Sequence, residues 1–251
     1  MQKFLVTLAI SAISTAAMAE DQFSLGTGFD YSTGKYGARL ATDILYIPVT
    51  AKYESDDWTL KLTVPYISIT GPGGVIRGLG LVRPGNVRTI RTTNSGLGDV
   101  TASAGRTVFS ADALALDLVG NIKFGTADAK QGLGTGKNDY SAQVDGYYSL
   151  HRATLFATAG YKVYGAPAGI VMNNAPYGTI GASQKMSDEA STGIMLDVAK
   201  SPTPASGDQR EVTVYVSEKT SASTKVQVNF LKGFASGSPN FGFGAMITGY
   251  F

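Results

Sequence analysis

The sequence predicts an all-β fold: an antiparallel transmembrane β-barrel of about twelve strands, with short periplasmic turns and longer extracellular loops. Three observations predict it. Apolar and polar residues alternate with period two along segments of roughly ten residues, the connections between segments alternate between short and long, and the last segment ends on an aromatic residue, Phe251.

The N-terminus stands apart from this pattern. One cation, Lys3, precedes an apolar stretch from Phe4 to Ile13, and small residues follow, ending in Ala17-Met18-Ala19. This is the layout of a secretory signal peptide, residues 1–19, with cleavage after Ala19 and ahead of the acidic pair Glu20-Asp21. A membrane anchor is the alternative, but the apolar core is shorter than the ~20 residues that a spanning helix needs. Residues 20–251 then form the barrel.

The strand pattern is clearest from Trp58 to Tyr66, where Trp58, Leu60, Leu62, Val64 and Tyr66 share one phase and Thr59, Lys61, Thr63 and Pro65 the other. An aromatic at each end of the apolar phase suits the two interfacial girdles of a membrane barrel. Leu114, Leu116, Leu118, Ile122 and Phe124 repeat the pattern, as do Thr192, Ile194, Leu196 and Val198, then Val212, Val214 and Val216, and Val226, Val228 and Phe230. In all, the sequence predicts strands at about 22–32, 42–54, 58–70, 97–109, 113–125, 139–149, 153–164, 176–186, 190–200, 210–219, 224–234 and 240–251. The set is even, as bacterial barrels require, and each member is long enough to cross a bilayer when tilted.

The connections point the same way. Ser55-Asp56-Asp57, Ser110-Ala111-Asp112, Leu150-His151-Arg152, Ser187-Asp188-Glu189 and Ser221-Ala222-Ser223 are tight turns, whereas Gly71 to Gly96, Thr126 to Asn138, Gly165 to Ala175 and Ser201 to Gln209 are longer. A soluble β-sandwich also alternates, but it accounts neither for this asymmetry nor for a terminal aromatic in the apolar phase of Phe241, Phe243, Ala245, Ile247, Gly249 and Phe251. Such a final strand resembles the C-terminal signal read by the barrel-insertion machinery.

Composition narrows the function. The chain has 21 Lys+Arg against 19 Asp+Glu, and loss of Lys3 with the leader brings the balance close to neutral, which argues against a nucleic-acid binder. There is no cysteine and a single histidine, His151, so neither a disulfide framework nor a Cys or His metal site is expected, and no cofactor. The Gly-rich stretch Gln131 to Asn138 invites comparison with a phosphate loop, but Gln131 stands where the first Gly belongs and Asn138 where Ser or Thr should bind magnesium. A loop with permissive backbone torsions is the better account.

Two groups of charges are candidate functional residues. The longest loop holds Arg77, Arg83, Arg88 and Arg91 and no acid between Gly71 and Gly98. These guanidiniums either bind the phosphates of surrounding lipopolysaccharide or fold into the mouth and face an anionic solute. The lumen phase offers Lys123, Asp145 and Lys162 on consecutive strands, with Asp197 and Glu211 further on, and Lys61 with Asp117 toward the periplasmic side. They form either a selectivity ring or structural pairs that neutralise one another. A phospholipase-like barrel enzyme is a third possibility, but His151 lies in a tight turn with no serine motif beside it, so no catalytic residue is assigned and the protein is not expected to be an enzyme.

Placed on this frame, Tyr31 to Gly37, Val64 to Gly73, Ser95-Gly96-Leu97-Gly98-Asp99, Leu231-Lys232-Gly233-Phe234 and Gly237-Ser238-Pro239-Asn240 resemble a family of proteobacterial outer-membrane barrels of transporter type, related to the barrel proteins of meta-cleavage phenol-degradation pathways. Asn240 departs from the aspartate expected after Ser-Pro. The resemblance covers most of the mature chain. It implies passive entry of small solutes, aromatic or hydrophobic ones among them, and carries no catalytic residues. The expectation is thus a monomeric outer-membrane channel, wider than the eight-strand size that side chains fill. Its expected partners are outer-membrane lipid and lipopolysaccharide, the insertion machinery and a small solute, with no nucleic acid. The alternative is a closed structural or interaction barrel with a charge-plugged lumen.

Overall fold

The computed structural model describes residues 21–251 apart from Pro84 and Asn86, so the expected leader, residues 1–19, lies outside the described residues. The long strands are β1 (Gln22–Gly34), β2 (Thr42–Glu54), β3 (Trp58–Gly71), β6 (Thr92–Leu97), β7 (Thr101–Ala111), β8 (Leu114–Lys123), β9 (Asp139–Leu150), β10 (Ala153–Val163), β11 (Ala175–Lys185), β12 (Ala190–Ala199), β13 (Gln209–Ser221), β14 (Thr224–Gly233) and β15 (Phe241–Tyr250). Two short ones, β4 (Val75–Ile76) and β5 (Gly80–Leu81), pair only with each other. Apart from β6 and β7, which both pair with β3, each long strand pairs antiparallel with the next in the chain, and β1 pairs with both β2 and β15, which closes the sheet. Since β6 and β7 lie end to end along β3, the barrel has twelve walls.

That break corrects the expected fourth strand, which starts at Thr92 rather than near residue 97. Tyr66 faces Leu97 and Thr63 faces Thr101, so four steps along one strand match three along the other, a β-bulge. Its cause is Pro65, which has no N–H for the ladder; its carbonyl takes the Gly98 N–H at 2.8 Å instead. The extra residue turns Asp99 inward, where it is buried.

Phase decides which side chains meet lipid. Leu60, Leu62, Leu118, Val144, Leu155, Ile180, Val214, Val228 and Ile247 point out and are exposed, while Thr63, Asp145, Thr158, Thr179, Thr213 and Ser217 are buried on the inner face. Outward aromatics form two bands: Phe23, Tyr53, Trp58, Phe109, Tyr148 and Phe251 at the short-turn end, and Tyr66, Tyr140, Tyr161, Phe241 and Phe243 at the other. Several glycines have a packing role inside. Phe156 lies across Gly181, Tyr177 across Gly160 and Tyr215 across Gly193, each pair in register on neighbouring strands, where an added Cβ would come within 2.4 Å of the ring.

Connections at one end span two to four residues and at the other seven to twenty. The longest spans residues 72–91, and its β4–β5 hairpin turns inward and is among the most buried parts of the molecule. The expected alternative, a loop reaching out to lipopolysaccharide, is therefore not the arrangement adopted by its hairpin.

Candidate functional site: the lumen and its mouth

Apolar contacts seat the hairpin. Val75 and Leu81 join Ile44 of β2, Ile67 and Ile69 of β3, and Tyr36, Ala127 and Leu133 from two other long loops in one buried cluster. Ile76, Leu79 and Val82 form a second, packed against Tyr164, Ile170 and Met172. Leu81 N–H donates to Tyr36 O at 2.9 Å, and the Thr203 hydroxyl to Leu81 O at 3.1 Å, so two long loops grip the same hairpin. Period-two alternation extends inward as isoleucine at the mouth because the wall there faces this plug rather than water.

A buried ionic network fastens the same end. Lys123 Nζ donates to Asp99 Oδ2 at 3.0 Å and to Thr135 Oγ1 at 3.3 Å, and lies 3.4 Å from Asp139 Oδ2; Lys162 Nζ is 3.9 Å from that oxygen. Asp99 Oδ1 accepts the Ala127 N–H and Asp139 Oδ1 the Gly165 N–H, both at 3.0 Å, so each carboxylate ties a loop to the wall. Lys123 and Lys162 thus meet through Asp139, not through Asp145, which lies deeper and accepts from Thr158 Oγ1 at 2.6 Å and Gln143 Nε2 at 2.8 Å.

Elsewhere on the inner face several charges meet like charges across a ladder. Lys61 stands directly opposite Lys52, Asp117 opposite Asp145, and Asp197 opposite Glu211. Asp117 accepts from Thr107 Oγ1 at 2.8 Å and Asp197 from Thr179 Oγ1 at 2.6 Å, while Lys52 pairs with Glu54 on its own strand at 2.7 Å. The expected Lys61–Asp117 pair does not form a direct contact; the register sets both against like charges.

The four loop arginines are used in different ways. Arg77 is buried, its guanidinium 3.6 Å from the centre of the Tyr46 ring, in a small cavity lined also by Asp30, Asp197 and Glu211. Arg83 donates to Ala129 O at 2.7 Å, Arg91 pairs with Asp43 and donates to Thr70 O at 3.1 Å, and Arg88 is exposed. Residues that sequence reasoning passed over are Asp30, Lys52, Asp99 and Asp139. Asp30, Lys52 and Asp139 sit in the lumen phase of strands already recognised, so that phase was a usable signal; Asp99 needed the bulge. Among the described residues, no group of three or more His, Cys, Asp or Glu is placed to hold a metal ion.

This geometry has counterparts among solved structures. The crystal structure of the COG4313 outer membrane channel from Pseudomonas putida F1 aligns with a TM-score of 0.71 at 14% identity, covering 94% of this chain and 97% of that one. What the two share is the fold, a closed antiparallel β-barrel of outer-membrane type. The KdgM porin aligns at 0.55 with 9% identity over 91% of this chain and 99% of its own, in a complex with disordered oligogalacturonate. The P. putida toluene transporter TodX aligns at 0.51 with 9% identity, over 93% and 90% of the two chains. No family model matches the chain. No curated relative matches it either.

Proposed function

We propose that the protein is a channel or facilitated-diffusion transporter of the Gram-negative outer membrane for small solutes, exported with the help of residues 1–19. Its long loops face outward and its short turns face the periplasm. The observation that carries this reading is the sorting of lumen charge into like-sign doublets. A wall built only for stability would set Lys opposite Asp across each ladder, since like charges directly opposite destabilise a sheet. With Lys52 paired to Glu54, Lys61 is left as the cation of one doublet and Asp117 stays beside Asp145 in the other, and these charges create fields that act on a permeating solute. A monomer suffices, because β1 pairs with β15 and closes the ring within one chain.

Aromatic or hydrophobic solutes fit the isoleucine-rich mouth, and the toluene transporter among the structural neighbours and the resemblance to phenol-pathway barrels support that choice by analogy. Exposed Arg88 remains available to lipopolysaccharide phosphates, and Phe251 to the insertion machinery. The test is conductance in planar bilayers together with solute flux into liposomes, using refolded protein. Asp145→Asn should shift selectivity toward anions and Lys61→Gln toward cations. Neither conductance nor flux, in the full chain and in a variant with residues 74–82 replaced by Gly-Ser-Gly, would establish the second reading, a closed structural barrel. The buried hairpin is the observation that favours that reading.

A further inference from the structure

The tip of the β4–β5 hairpin is a four-residue turn, Ile76-Arg77-Gly78-Leu79, closed by the Leu79 N–H to Ile76 O bond at 3.0 Å. Gly78 takes φ 76°, which a type II turn requires at its third position, and this places Arg77 at the corner. The corner points at the acidic wall. Asp197 and Glu211 face each other across the β12–β13 ladder, Asp30 comes from β1, and all three line one cavity with Arg77. Gln209 Nε2 adds a bond to Gly78 O at 3.1 Å. A two-rung hairpin has little stability of its own, so what holds it must come from such contacts and from loop packing.

Resting on the channel reading above, we infer that Arg77 is an autoinhibitory latch: seated among Asp30, Asp197 and Glu211, it holds the hairpin in the mouth, and its release opens the path and bares a carboxylate wall that favours cations. The same arginine answers two needs. It offsets the repulsion of the Asp197–Glu211 doublet, and its own burial is tolerable only beside those acids and the Tyr46 ring. An arginine is suited to this because its planar group can face a ring and several carboxylates at once.

The full chain contains no cysteine, so a thiol introduced by Leu79→Cys, at a side chain with no solvent exposure, reports plug position alone. With Arg77 present, labelling by a charged methanethiosulfonate should be slow. In the Arg77→Ala background it should be faster by about ten-fold or more, with raised conductance and preference for cations over anions. Asp197→Asn with Glu211→Gln should accelerate labelling equally but without the cation preference. Equal labelling rates with and without Arg77, in barrels shown folded by heat-modifiable gel mobility, would overturn the latch. If the Gly-Ser-Gly variant conducts while Arg77→Ala neither labels faster nor conducts, the latch fails and the channel stands. Faster labelling of Arg77→Ala without conductance in either variant upholds the latch and removes the channel.

Discussion

Lys123 should be the most costly single charge to remove from this barrel. Its ammonium donates to Asp99 at 3.0 Å and to Thr135 at 3.3 Å and lies 3.4 Å from the Asp139 carboxylate, and the residue is 4% exposed. At an effective dielectric of about 20, attraction at 3.0 and 3.4 Å is roughly 5 kcal/mol for each carboxylate, and desolvation of all three groups cancels most of it. Lys123→Met removes the attraction and leaves both carboxylates buried, with Lys162 3.9 Å from one of them. The expected cost is therefore about 3–5 kcal/mol, the range for breaking a buried pair, and not the near-zero value of a surface pair. Equilibrium unfolding by urea in detergent micelles or lipid vesicles measures it. Adding Asp99→Asn to Lys123→Met should recover part of the loss, because one stranded charge is removed. A cost below about 1 kcal/mol for Lys123→Met, or no recovery in the double variant, would refute the reasoning, since the network would then be solvated rather than buried.

Gly193→Ala should destabilise by about 1–3 kcal/mol in the same assay, because its Cβ would fall 2.4 Å from Tyr215 in the neighbouring strand. Val228→Arg and Gln227→Arg test the phase assignment at one depth: the outward change should cost about 2–4 kcal/mol in lipid and the inward one much less, as read from vesicle unfolding. Deletion of Phe251, which packs 6.1 Å from the Phe23 ring, should slow assembly by purified insertion machinery more than spontaneous refolding in detergent. In the outer loop 200–208, the Lys200 ammonium at 2.8 Å and then the Ser201 N–H hold the Asp208 carboxyl below its usual range. With the folded value lowered, the contribution is complete above the unfolded carboxylate value of about 3.9 and is lost as pH falls through the lower folded value. Protection of the Ser201 amide from hydrogen exchange should accordingly persist to mildly acidic pH and disappear only below that range.

Period two made the walls legible. From Trp58 to Tyr66 the pattern alone separates lipid-facing Leu60, Leu62 and Val64 from lumen-facing Lys61 and Thr63, and the exposures agree. Loop asymmetry was equally open to inspection, because lengths are read directly from the spacing of strands. The fourth strand was placed late because Thr92 to Gly96 carries polar residues in both phases. That segment lies beside the mouth, where loop 124–138 covers it on the inside through Asn94 Nδ2 to Gln131 O at 2.9 Å, so neither face demanded a clean apolar row.

The ionic contacts were not legible for a different reason. Alternation assigns a side chain to a face but leaves its height along the lumen open, and height depends on the stagger between neighbouring strands. Lys123, Asp145 and Lys162 share a face, yet the register sets Lys123 beside Asp139 and sets Asp145 beside Asp117. One residue more or less would set Asp117 and Asp145 each against an uncharged partner. The doublets are therefore a consequence of register as much as of composition, and the register is enforced from outside, since slipping a strand by one residue would turn Leu118 and Val144 into the lumen. Lipid thus holds in place a charge pattern that the charges themselves would not choose. This is why the acidic doublet near the mouth needs a cation from elsewhere in the chain, and why the arginine that reaches it comes from a loop and not from the wall.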